Sequence, residues 1–206
     1  MNKQIIQAIY ANAVSRENIR QLMTGIHFEK NRCYASDTHI LIVYNVGSEE
    51  LDGQTIKATG ELIKGKYPDV DKVIPNSDLK IVNIDLDQLY RACQWYMRSD
   101  FGTPDDEVLI ENVALKVSMI YRLLRIFKVG TNLKHTKFFV VDSSRPVVFK
   151  NSLFTGIIMP CSVNIGFVDM DPMPDERRTI SYANLINTFA FEGWKKKEND
   201  RLSWLK

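Results

Sequence analysis

Segments of helical apolar periodicity alternate along this chain with runs of β-branched and aromatic residues, a pattern that commits it to helices packed on antiparallel strands. Ile5, Ile6, Ile9, Tyr10 and Ala13 recur at helical spacing, while Lys3, Gln4, Gln7 and Asn12 fall largely elsewhere on the wheel. Residues 3–14 therefore predict an amphipathic helix. A second is expected over 86–98. Asp85 followed three residues later by Gln88 resembles a capping box, and Leu86, Leu89, Tyr90, Cys93 and Met97 supply the stripe. A third begins after Ser118 as N-cap, carries Ile120, Leu123, Leu124 and Phe127 on one side, and stops at Gly130 with Lys128 in its last turn.

Between these helices, 25–29 and 34–44 read as adjacent antiparallel strands joined through the turn-forming Lys30 and Asn31. Further strands are expected at 54–64, 136–142, 146–150 and 153–160. The stretch 66–75 carries two prolines and precedes Asn76-Ser-Asp, which makes it a crossing loop and the boundary between two halves, 1–75 and 76–164. Residues 165–206 differ in character: 169–175 is loop-like and Tyr182 to Phe191 weakly helical, so this region reads as an appendage. The fold class is α+β, with antiparallel sheets and helices packed on one face.

With 206 residues, 45% hydrophobic and 25% charged, the chain can bury one substantial core or two small ones. Its net charge of +2 identifies no partner, so any nucleic-acid role depends on where Lys and Arg sit. Cys33, Cys93 and Cys161 are widely spaced and lack a C-x-x-C pair, which argues for reduced thiols and against a disulfide framework or zinc site. The N-terminal apolar stretch is too short for a signal peptide, and no run of about 18 uncharged apolar residues occurs, so a cytoplasmic protein without a membrane span is expected.

Catalytic signatures are missing. Ser36, Asp37 and His39 are near neighbours on one strand and alternate sides, so they cannot form a hydrogen-bond relay. Asp69 with Asp71, and Asp169 with Asp171, lie beside prolines without the further carboxylates a divalent cation needs. Residues 60–66 lack the spacing of a phosphate-binding loop. We therefore expect no enzyme, no cofactor and no metal; a hydrolase or nuclease ranks last.

Leu22-Met-Thr-Gly-Ile-His-Phe-Glu29 followed by Tyr34-Ala-Ser-Asp-Thr-His-Ile-Leu41 resembles the paired strands of bacterial β sliding clamps, whose second strand typically reads A-T-D-G-H-R-L. Thr38 and Ile40 stand here for the Gly and Arg. Lys66-Tyr-Pro-Asp-Val-Asp-Lys-Val-Ile-Pro75 looks like the clamp loop F-P-D-Y-x-x-V-I-P, and Ile157-Ile-Met-Pro160 like its terminal V-M-P strand. Between them, Glu111 to Leu124 resembles the strand-then-helix of the last clamp domain. The matches fall in family order over residues 3–163. The chain lacks a strand, helix and strand between Tyr44 and Gln54 and again between Arg98 and Glu107, so the resemblance implies a shortened, divergent clamp.

That resemblance implies a DNA polymerase processivity or platform protein, a homo-oligomer that attracts duplex DNA without reading its sequence. Helix faces would present the cations Lys3, Arg91, Arg98, Arg122 and Arg125, although scattered Arg also suits an ordinary solvated face. It also implies an apolar cleft that receives short hydrophobic peptides from polymerases and other replication or repair proteins. Carried over position by position, the cleft comprises Met23, Ser36, Thr38, His39, Leu41, Pro68, Lys72, Val73, Ile157, Met159 and Pro160. The plainer reading of its apolar members is core. A clamp-fold interaction module that no longer binds DNA is the alternative. In the tail, Asn184 to Phe191 loosely resembles a Q-L-x-L-F clamp-binding peptide, against the plainer reading of a helix packed on the body.

Overall fold

A computed structural model describes residues 1–100, 102–162, 168 and 177–203, with Asn18 and 194–203 as backbone only. The expected loop at 169–175 and the Asp169/Asp171 pair lie outside these residues. Four helices form: α1 Lys3–Asn12, α2 Leu86–Tyr96, α3 Val117–Gly130 and α4 Tyr182–Ser203. No helix of the described residues is long and apolar enough to cross a membrane. The first two start as the sequence predicts. Asn2 accepts from the Gln4 and Ile5 amides, and Asp85 from those of Asp87 and Gln88. The third differs, because Ser118 lies inside α3 and Lys116 occupies the cap position without a side-chain bond. The Val117 and Ser118 amides are taken by the Asp106 and Pro104 carbonyls instead, so the preceding strand can run straight into the helix without a capping side chain.

Nine strands build one sheet in the order β5-β4-β1-β2-β3-β11-β10-β9-β6. They are β1 Ile26–Glu29, β2 Arg32–Ser36, β3 Ile40–Asn45, β4 Thr55–Ile56, β5 Leu62–Ile63, β6 Lys80–Val82, β9 Lys137–Val140, β10 Val147–Lys150 and β11 Phe154–Ile158. The expected 34–44 strand is split into β2 and β3 by a turn at 37–39, and 54–64 is a hairpin of two very short strands. Lys30 and Asn31 both adopt left-handed φ, 49° and 60°, the geometry of a tight two-residue hairpin turn. A second sheet joins β7 Glu107–Ile110 to β8 Val113–Lys116 and, in parallel, to β12 Thr179–Ser181.

One core fills the space between the helices and the inner face of the large sheet. Ile5, Ile9, Leu89, Cys93, Ile120, Leu123 and Phe127 from the helices meet Ile26, Phe28, Ala35, Ile42, Phe149 and Phe154 from the strands. Strands from both sides of the 66–75 loop contribute, since β3 pairs directly with β11. Gly156 sets the spacing: a Cβ there would lie 2.8 Å from Leu123 and Phe127, so α3 rests on bare backbone. The tail joins the same core, with Leu185 buried and the Phe189 ring 6.1 Å from that of Trp95. That is the packed-helix reading of Asn184 to Phe191.

Candidate partner-binding cleft

In β3, Ile40 to Tyr44 has no polar alternation, so both faces of the strand require cover. The inner face has the helices. On the outer face Tyr34, Leu41, Val43 and Ile157 are covered by Tyr67 and Val70 of the crossing loop, which makes a second, smaller core. Tyr67 stacks on His27 with centroids 5.2 Å apart and meets Tyr34 edge-on at the same separation. Arg32 clamps the loop by donating to both Asp71 carboxylate oxygens, at 2.8 and 2.7 Å, which holds the Asp71 carboxyl below its usual range.

This cover stops short of the β2–β3 turn, and the gap is a depression of about 190 Å³. Its walls include Met23, Ser36, Thr38, His39, Leu41, Pro68, Val73, Ile157 and Met159, so the fold brings together residues quoted from three separate sequence motifs. Lys72 and Pro160 do not line it; Lys72 points to solvent and pairs with Asp69 at 3.4 Å. Arg20, Tyr67 and Val70 line it or its base and were not anticipated. An aromatic residue placed among prolines was a readable hint for Tyr67, since such a ring seeks apolar cover. Nothing in the aperiodic stretch around Arg20 offered one. The rim is greasy: Met159 and Val73 are 37% and 45% exposed.

The turn that shapes the cleft is tightly bonded. The Ser36 hydroxyl donates to the Ile40 carbonyl and accepts from the Thr38 amide, while Asp37 accepts from the His39 and Ile40 amides. These hydroxyl and carboxylate groups serve the turn. Thr38 sits at φ 82°, a left-handed conformation costly for a β-branched residue and easy for the Gly of the clamp pattern. Arg122 fixes the turn from behind by donating to Asp37 at 2.6 Å and to the Asn12 carbonyl at 2.9 Å.

Two polar groups are buried beside the crossing loop, Tyr67 in the cleft wall and His27 stacked behind it. The Tyr67 side chain is buried, and its hydroxyl, near the Ser36 backbone, has no protein partner in hydrogen-bond geometry; burial pushes its pKa up. The His27 Nδ1 lies 2.8 Å from the Thr55 hydroxyl, and burial lowers the His27 pKa against the opposing pull of Glu29 and Asp52.

No family model matches the sequence, and no curated protein does. Solved structures do match. The β sliding clamp of C. crescentus has a TM-score of 0.58 at 15% identity, covering 77% of this chain and 64% of its own. The Pseudomonas aeruginosa clamp gives 0.57 at 16% identity, with coverage of 77% and 64%. The Bacillus subtilis clamp gives 0.54 at 15%, with coverage of 78% and 62%. The fold is that of a bacterial β sliding clamp. It is a shortened one, spanning less than two thirds of those chains.

In this clamp fold the first three helices carry mostly cations. Within α1, α2 and α3 the sole carboxylate is Asp87, against Lys3, Arg91, Arg122, Arg125 and Lys128, and Arg98 follows just after α2. Lys3, Arg91, Arg98 and Arg125 are exposed. Arg122 is the exception, drawn inward to Asp37. Lys128, not among the expected cations, lies over the Tyr90 ring at 4.6 Å and 3.2 Å from Asp87. Asp87 also pairs with Arg91; burial works to raise its pKa, but the two cations outweigh that and hold it low.

Proposed function

We propose that this chain is a sliding-clamp-like platform in DNA replication. It captures partner proteins by seating a short hydrophobic peptide in the cleft at the β2–β3 turn, and holds duplex DNA against its helix layer without reading sequence. The observation that carries this reading is the gap in the outer-face cover: an apolar depression with exposed Met159 and Val73 at its rim and the unpartnered Tyr67 hydroxyl near its floor. An entering side chain would bury the rim, and a peptide carbonyl could accept from the hydroxyl. The chemistry is binding; the Ser36 hydroxyl and the Asp37 carboxylate are engaged in holding the turn. A homo-oligomer would place helix layers from several copies around one duplex.

The test is fluorescence anisotropy with a labelled Q-L-x-L-F-type peptide. Met23→Glu and Met159→Glu are expected to weaken binding roughly tenfold or more each while the far-ultraviolet circular dichroism stays that of the wild type. Unchanged affinity in both variants would reject the cleft as the peptide site.

A second reading keeps the cleft and drops the DNA. It is favoured by the engagement of Arg122 with Asp37 and of Arg91 and Lys128 with Asp87, so that of the cations on and just after α1, α2 and α3 those without an ion pair among the described residues are Lys3, Arg98 and Arg125. Retention on circular but not linear duplex, weakening steeply with salt, supports the first reading. Absence of binding to either form at low salt selects the second.

A further inference from the structure

The cleft does not end at the apolar depression. A second hollow, of about 470 Å³, shares the wall formed by Arg20, Met23 and Pro68 and continues past Ile19 and Leu22 to Lys64 and Lys66. Leu22, Met23 and Pro68 give it an apolar lining, Ile19 stands at its edge 88% exposed, and no carboxylate lines it. Gly65 lies between the two lysines and packs against Leu22. At φ 140° it takes a conformation that suits glycine, and a Cβ there would come within 3.1 Å of Leu22.

The charges around the cleft divide sharply. Asp37 is taken by Arg122 at 2.6 Å, Asp69 by Lys72 at 3.4 Å, Asp71 by Arg32 at 2.7 Å and Glu61 by Lys57 at 2.8 Å. Arg20, Lys64 and Lys66 have no ion-pair partner among the described residues. The acids near the cleft are thus paired except Glu17, which lines an adjoining hollow with Arg20, and Lys64 and Lys66 are left for something that is not part of this fold.

We infer that the peptide received by the cleft carries acidic residues immediately beside its apolar anchor, held by Arg20, Lys64 and Lys66 across the shared wall. This rests on the peptide-binding reading above and specifies its partner. An apolar side chain in the first hollow brings the next few residues of the same peptide over Ile19 and Leu22, within reach of the three cations. Nucleic acid would also satisfy those cations, but the apolar lining and the shared wall with Met23 favour a peptide.

The test compares three labelled peptides with the same Leu-Phe anchor: one flanked by Gly and Ser, one with two glutamates before the anchor and one with two glutamates after it. We expect one acidic version to bind about tenfold tighter than the neutral peptide at low ionic strength. That gain should be lost in Lys64→Ala/Lys66→Ala and in high salt, with neutral-peptide affinity unchanged. Met159→Glu should weaken all three peptides. Equal affinity for neutral and acidic peptides on the wild type overturns this inference and leaves the cleft reading standing. Failure of every peptide to bind removes the cleft reading and the inference with it. A single-stranded oligonucleotide that binds through Lys64 and Lys66 more tightly than the acidic peptide overturns the inference in favour of a nucleic-acid ligand.

Discussion

The two faces of the nine-stranded sheet are closed by different means. On the inner face, helices bury Leu123, Phe127, Phe149 and Phe154 completely or nearly so. The outer face is closed by a single crossing loop, whose Tyr67 and Val70 cover four strand residues and whose cover ends at Met159. The inner face therefore carries most of the stability, and the outer face is the thinly covered one. The capture of a partner proposed above requires a surface that is incompletely covered, and the outer face is.

The strongest way to break this contrast is to cut each core in turn. Leu123→Ala should cost about 3–5 kcal/mol in urea denaturation, because the site is fully enclosed and cannot collapse. Val70→Ala, in the outer core, should cost only about 1–2 kcal/mol. Equal losses would mean that the loop and the helices are one cooperative cover.

A smaller effect is expected at the strut linking the two faces. Arg122→Ala leaves the Asp37 carboxylate, 14% exposed, without its cation and should destabilise by about 1–3 kcal/mol. Adding Asp37→Asn should return part of that loss, and strict additivity in the double-mutant cycle would show that the pair does not interact.

Tyr67→Phe sharpens the contrast by separating stability from binding. Removing a buried hydroxyl that has no protein partner should leave the free protein unchanged or up to about 1 kcal/mol more stable, while weakening peptide binding several-fold. A clear loss of stability would show that the hydroxyl is satisfied in the free protein.

The smallest effect is on pH dependence. The folded pKa of His27 lies below its ordinary value of 6.5, so the unfolded chain takes up the proton first as pH falls. Its contribution to stability is full above about pH 6.5 and is lost as pH falls from there through the folded pKa. Asp71, Asp87 and Asp142, all held low, act in the same direction but at lower pH, losing stability as pH falls through and below the ordinary carboxylate range. Melting temperature should therefore decline modestly between pH 7 and 5.5 in the wild type and less in His27→Phe.

Much of this was legible in the sequence because the signals were local. The stripes of α1 to α3, the Asp85 cap and the Lys30-Asn31 turn each depend on residues a few positions apart. The cleft was legible through three motifs whose convergence only the fold could supply. What escaped depends on distant backbone or long-range charge. The start of α3 is satisfied by carbonyls of Pro104 and Asp106. Arg122 looked like a surface cation until Asp37, 85 positions away in sequence, claimed it. Lys72, four residues from Pro68 in a motif that does shape the cleft, turns instead to Asp69.

The most direct measurement uses the methionines. Protein labelled at the methionine methyl groups would be titrated with an apolar-anchored peptide and followed by NMR. The account predicts progressive shifts of the Met23 and Met159 resonances, with Met97 and Met119, packed on the inner side, unmoved. Saturable binding that shifts Met97 or Met119 and leaves Met23 and Met159 in place would contradict it.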